Sequence, residues 1–73
     1  MKLPHMELVT SSNVAAIGYE DDTRCLFVRF NDGGLYRYEG VSLETYQAFM
    51  SAPSKGRFVW RQLRGRYPYS RIG

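Results

Sequence analysis

Between Ser54 and Ile72 the chain reads SKGRFVWRQLRGRYPYSRI. Lys55, Arg57, Arg61, Arg64, Arg66 and Arg71 stand in this stretch without a single acid. Phe58, Trp60, Tyr67 and Tyr69 are threaded between them. Cations of this density neutralise phosphates, and interleaved rings can stack on bases. Ser54, Lys55, Gly56 and Arg57 form a second combination. At a helix start, backbone N–H groups and a lysine can hold a phosphate. The other reading of those four residues is a plain capped helix start.

The spacing sharpens the first combination. On a helix at about 100° per residue, Arg57, Arg61 and Arg64 fall on one stripe. Val59 and Leu63 lie opposite and are expected to face a core. Trp60 sits on the border beside Arg64, expected to pack rather than to stack. Phe58 and Gln62 take the other flank. A charged outer face serves solubility in any helix, but solubility alone usually mixes both signs. Three arginines without a neighbouring acid repel each other mildly, which an anionic partner would relieve.

The charge is polarised along the chain. Through Met50, four basic residues oppose seven acids, a net of −3. From Ser51 onward six bases stand alone, a net of +6. That asymmetry points to a polyanionic partner.

The elements that must hold these residues can be read from periodicity. Val14–Tyr19, Arg24–Phe30 and Leu35–Glu39 are predicted strands, rich in β-branched and aromatic residues. Asn31-Asp32-Gly33 is a predicted three-residue hairpin loop with Gly33 in the left-handed region. That loop pairs Val28 with Tyr36 and Leu26 with Tyr38, and puts all four on a core face. Phe27, Arg29, Leu35 and Arg37 then share the outer face. Phe27 between two arginines has the chemistry of an RNA-binding platform. The alternative is that the arginine stems merely cover apolar surface. Ser42 caps a helix from Leu43 to Ser51, whose apolar face is Leu43, Tyr46, Phe49 and Met50. Pro53 ends it. Ser54 caps a second helix, from Lys55 to Arg64, with Gly65 as its left-handed C-terminal residue. The tail after Gly65 is extended, because Pro68 disfavours helix at Tyr67. The predicted class is α+β: a three-stranded antiparallel meander followed by two short helices packed on it.

The 73 residues suffice for one domain. Met1–His5 read as a cloning remnant ahead of Met6, with one domain from residue 6 to 73. At 44% hydrophobic and 15% aromatic residues, the composition is that of a folded chain. One cysteine, Cys25, excludes an internal disulfide and points to a reducing, cytoplasmic setting. No apolar run is long enough for a membrane span.

Catalytic chemistry is poorly supplied. His5 is the only histidine and lies in the stretch set aside. Cys25 has no visible partner, and Asp21 and Asp22 are adjacent in a polar turn. No cofactor or metal set is visible, and an enzyme is not expected.

Several segments taken together, SSNVAAIGYE, NDGGLYRYEGV and SKGRFVWRQLRGRYPY, resemble the KTSC domain in order and spacing. The likeness covers Val9 to Ile72. It includes the Tyr36-Arg37-Tyr38 element, the Lys55-Gly56-Arg57 helix start, and the Arg64-Gly65-Arg66-Tyr67-Pro68 tail. This family occurs at the C-terminus of some lysyl-tRNA synthetases and as a stand-alone bacterial or phage protein. The resemblance implies no catalytic residues, and its synthetase setting suggests RNA. The expected function is a small non-catalytic nucleic-acid-binding module, RNA favoured. Its candidate contacts are Lys55, Arg57, Arg61, Arg64, Arg66, Arg37 and Trp60. The alternative partner is an acidic protein surface, a host complex in the case of a phage protein.

Overall fold

A computed structural model describes residues 3–73; Met1 and Lys2 of the stretch read as a cloning remnant lie outside them. The central hairpin forms as its loop chemistry requires. Gly33 takes φ +95°, and the Asp32 carboxylate accepts the Gly34 N–H at 2.9 Å. The register follows: Leu26 pairs with Tyr38 and Val28 with Tyr36.

The sheet has five strands rather than three. They are β1 (Met6–Leu8), β2 (Val14–Glu20), β3 (Cys25–Phe30), β4 (Leu35–Tyr38) and β5 (Tyr69–Arg71). All neighbours are antiparallel, and the spatial order is the chain order. The two additional strands are edges of three residues each. Such short strands carry no periodic signal of their own. The tail after Pro68 is extended, as expected, but it is also paired. Tyr36 faces Arg71, Arg37 faces Ser70 and Tyr38 faces Tyr69. Bonds from Glu39 N–H to the Pro68 carbonyl (2.9 Å) and from Ile72 N–H to the Leu35 carbonyl (2.8 Å) lock the pairing at both ends.

Strand alternation divides the sheet into two faces. Ile17, Leu26, Val28 and Tyr38 lie on the inner face and are buried with Val14, against Val41, Phe49, Val59 and Leu63. Helix α1 (Leu43–Ser51) supplies Phe49 and starts at Ser42, whose hydroxyl accepts the Thr45 N–H. Its expected apolar face is confirmed at Phe49, whereas Leu43, in the first turn, is exposed. The second helix starts at Ser54, as predicted, with α2 (Lys55–Phe58). It then widens into a π-helical turn, Val59–Leu63, closed by Arg64 N–H to the Val59 carbonyl. Arg64 is therefore not helical: its ψ is 130°. Gly65 follows at φ +77°, the expected left-handed residue. Phe58 stacks on Phe49 at 4.9 Å between centroids, joining the two helices.

The outer face is not an open platform. Phe27 is only 3% exposed, and Ala16 and Leu35 are buried beside it. Gly18, the register partner of Phe27, explains the cover. A Cβ there would fall 2.9 Å from the His5 carbonyl and 3.2 Å from Pro4. Pro4 and His5, left out of the fold on sequence grounds, thus cross this face. The outer-face reading of Phe27 as a stacking ring is overturned by this burial.

Phe49 is fully buried at the junction of sheet and helices. Phe49→Ala should cost ~3–5 kcal/mol. A small core rarely supplies more than about 3–5 kcal/mol in total. Thermal unfolding followed by circular dichroism should therefore show no cooperative transition for this variant at 37 °C, while the wild type retains one.

Candidate nucleic-acid interface

The second helix, the turn after it and β4 place the expected contacts in four different settings. Arg57, Arg61, Arg64 and Arg66 are all exposed. Among the described residues, none of them has a carboxylate within ion-pair distance; the pairs found are His5 with Glu7 and Arg37 with Glu39. Arg66 is anchored at one point, where Nε donates to the Arg61 carbonyl at 3.2 Å, and its other donors are uncommitted.

Lys55 is differently employed. Its Nζ donates to the Met50 carbonyl at 3.0 Å and the Ala52 carbonyl at 2.6 Å. Both accept at the C-terminal end of α1, where helix carbonyls lack partners and a cation is favoured. Ser54 Oγ accepts the Arg57 N–H at 3.3 Å. The Ser54–Arg57 segment is accordingly a capped helix start whose lysine ties the two helices together.

Arg37 stands apart from the others. Its register partners are Phe27 and Ser70, which puts it on the outer face, opposite the helices. It reaches Glu39 at 4.0 Å, and its Nε is buried without a hydrogen-bond partner.

Trp60 is the largest departure from expectation. It is 68% exposed, not packed at the border of the core. The π turn displaces it from the position that an α-helical wheel assigns. The Arg64 guanidinium lies 4.4 Å from the Trp60 ring centre, within cation–π range.

Trp60 and Arg64 form one wall of an open groove of about 530 Å³. Tyr36, Tyr38 and Tyr69 form its floor on the inner face of the sheet. Their rings are contiguous, with Tyr69 6.0 Å from Tyr36 and 5.6 Å from Tyr38. Asn13, Asn31 and Asp32 close the far end. The Asn31 N–H donates to the Asn13 carbonyl at 2.8 Å, which fixes that end to the hairpin. Burial raises the Tyr38 phenol above the ordinary tyrosine range, and Arg64 opposes the shift. The Arg64 charge is therefore felt at the groove floor. Arg57 and Arg61 do not line the groove.

Sequence reasoning missed the groove. Tyr36 and Tyr38 were assigned to the core face, but the ring beside them, Tyr69, comes from the unforeseen β5. The available signal was alternation in Tyr67-Pro68-Tyr69, an extended segment after a helix, but nothing in it specified β4 as the partner.

The fold and its surface define a class: a small α+β module with a five-stranded antiparallel meander, two short helices on one face, an aromatic-lined groove, and exposed arginines on the second helix beside it. The KTSC domain model matches residues 10–67, and the chain belongs to the KTSC domain family. The crystal structure of a KTSC domain protein from Yersinia pestis superposes with a TM-score of 0.91 at 40% identity, covering 94% of this chain and 97% of that one. An uncharacterised protein of Stutzerimonas stutzeri is 45% identical over 47 residues, covering 64% of this chain and 66% of that protein. A lysine–tRNA ligase of Nostoc is 31% identical over 61 residues, 84% of this chain but 11% of the ligase. The chain thus matches about two thirds of the first relative and about a tenth of the second.

The arrangement of Lys55 separates fold from binding. Lys55→Met should lower stability in urea unfolding by ~1–2 kcal/mol through the lost charged hydrogen bonds. The salt dependence of any nucleic-acid binding should stay unchanged, because this ammonium contacts carbonyls rather than a ligand.

Proposed function

We propose that this KTSC domain is a small non-catalytic module that binds nucleic acid, with RNA as its preferred partner. The observation that carries the reading is the surface of the second helix. Arg57, Arg61, Arg64 and Arg66 are exposed without carboxylate partners, beside an exposed Trp60. Unpaired guanidinium groups bind phosphate oxygens, releasing counterions. The ligase relative supports the choice of RNA, since its name specifies tRNA as its substrate. The contacts assigned to the partner are Arg57, Arg61, Arg64 and Arg66, with Trp60 stacking. Lys55 and Arg37, engaged elsewhere, are left out of this set.

Binding through phosphates is weakly sequence-dependent and strongly salt-dependent. Trp60 is the only tryptophan, so its fluorescence reports binding directly. Titration with single-stranded RNA at rising salt should give a log–log slope of about −2 to −3, at ~0.7 per phosphate contact. Replacing Arg57, Arg61 and Arg64 by Ala together should flatten that slope by about 2. Absence of binding at ~50 mM salt, or an unchanged slope in the triple variant, overturns the reading. Loss of RNA binding together with capture of an acidic protein by the same arginines would instead assign the surface to protein recognition.

A further inference from the structure

The groove has features that phosphate binding does not use. We propose that it seats one unpaired base of a single-stranded nucleic acid, guanine in preference to the others, with the adjoining phosphate on Arg64. This inference rests on the nucleic-acid reading above and specifies what the same surface recognises.

The size fits. At about 530 Å³ the groove lies within the ~300–1,000 Å³ of small-molecule sites. The walls fit as well. Trp60 is 68% exposed and Tyr69 is 51% exposed, and both line this groove. Exposure of two large rings at one groove forgoes burial that a chain of this size could use. A base seated against the exposed rings recovers part of that burial. Stacking of this kind accepts any base and therefore gives affinity without choice.

Choice comes from the two ends, which differ in charge. Arg64 stands at one end beside Trp60 and repels no anion. Asp32 stands at the other, where a phosphate would meet a carboxylate. The phosphate is thus directed to Arg64, and the base edge to Asp32. The Asp32 carboxylate is held in place, since one oxygen accepts the Gly34 N–H at 2.9 Å. Its second oxygen has no hydrogen-bond donor among the described residues. Asn31 is held likewise, its Nδ2 donating to the Ser11 carbonyl at 3.0 Å, which leaves its side-chain oxygen as an acceptor. Fixed acceptors at the end of an aromatic groove favour the base with the most adjacent donors. Guanine alone offers N1–H and the N2 amino group side by side on its pairing edge. Adenine and cytosine offer one amino group each on that edge, and uracil one N–H. The Asn13 amide, packed beside Gly56 and making no side-chain hydrogen bond, also lines that end with Ser12 and can donate to the guanine O6.

The test uses the intact chain and four mononucleotides, GMP, AMP, CMP and UMP, with ribose 5-phosphate as a base-free control. Trp60 fluorescence at low salt is the readout. GMP is expected to bind about fivefold or more tightly than AMP, the lower end of what a bidentate base contact discriminates. Ribose 5-phosphate should bind much more weakly than any nucleotide. Asp32→Asn keeps the acceptor for Gly34 but removes the charge, and should erase the GMP preference while AMP binding is retained. Tyr69→Ala should weaken all four nucleotides together, by about fivefold or more. Equal binding of the sugar phosphate and GMP overturns the base site. So does a GMP preference that survives Asp32→Asn. Single-stranded RNA that binds through Arg57 and Arg61, with no nucleotide binding in the groove, overturns the base site and leaves the broader function standing. No binding of RNA or nucleotide overturns both.

Discussion

The candidate surface depends on one constraint, the pairing of β5 with β4. Only three residue pairs make the ladder, from Tyr36 with Arg71 to Tyr38 with Tyr69. A strand of that length is too weak to hold by itself. It is held because the chain on both sides is already fixed. The Leu63 side chain is fully buried under the sheet, and the turn through Gly65 sends the chain back along β4. The Glu39 to Pro68 and Ile72 to Leu35 bonds then close the two ends. Pro68 stands just ahead of the strand: its carbonyl accepts from Glu39, and because it has no N–H to return, the ladder ends there. With β5 in place, Tyr69 lies beside Tyr36 and Tyr38, and a row of separate side chains becomes a floor.

The π turn at Val59–Leu63 is the second determinant. It makes the helix wider by one residue per turn, so positions that an α-helix would stack are rotated apart. Val59 and Leu63 both stay buried, as their apolar character requires. The adjustment falls on the residues between and after them. Trp60 is turned out to solvent and Arg64 leaves the helix to lie over its ring. The arginine stripe therefore divides: Arg64 joins the groove, whereas Arg57 and Arg61 remain on the open helix surface. The two sets suit different tasks, one general attraction for phosphates and the other contact with a single nucleotide. Lys55 shows the same division from the other side. Its charge belongs to the basic segment by sequence, but its bonds to Met50 and Ala52 make it part of the scaffold.

Much of the fold was legible in the sequence because it rests on local chemistry. The Asn31-Asp32-Gly33 loop specified its own register, and Ser42, Ser54 and Gly65 marked helix ends through caps that need only nearby backbone. The burial of Val59 and Leu63 followed from helical period. What was not legible rests on contacts between distant residues. The edge strands Met6–Leu8 and Tyr69–Arg71 are defined by their partners, not by their own pattern. The cover over Phe27 depends on Pro4 and His5 meeting Gly18 across the sheet. The exposure of Trp60 depends on a π turn, for which Val59-Trp60-Arg61-Gln62-Leu63 carries no clear sequence signal. Of the expected contacts, Arg57, Arg61, Arg64 and Arg66 are exposed without carboxylate partners among the described residues, and the groove beside Arg64 emerged only with the structure.

The most direct test of the account is a chemical-shift map of the isotope-labelled chain titrated with a short single-stranded RNA. The account predicts that the largest changes fall on the Trp60 indole, Arg64, Tyr36, Tyr69 and the Asn31–Asp32 turn, with smaller ones at Arg57 and Arg61. Changes centred on Phe27 and Arg37 of the outer face, or none at all, would contradict it.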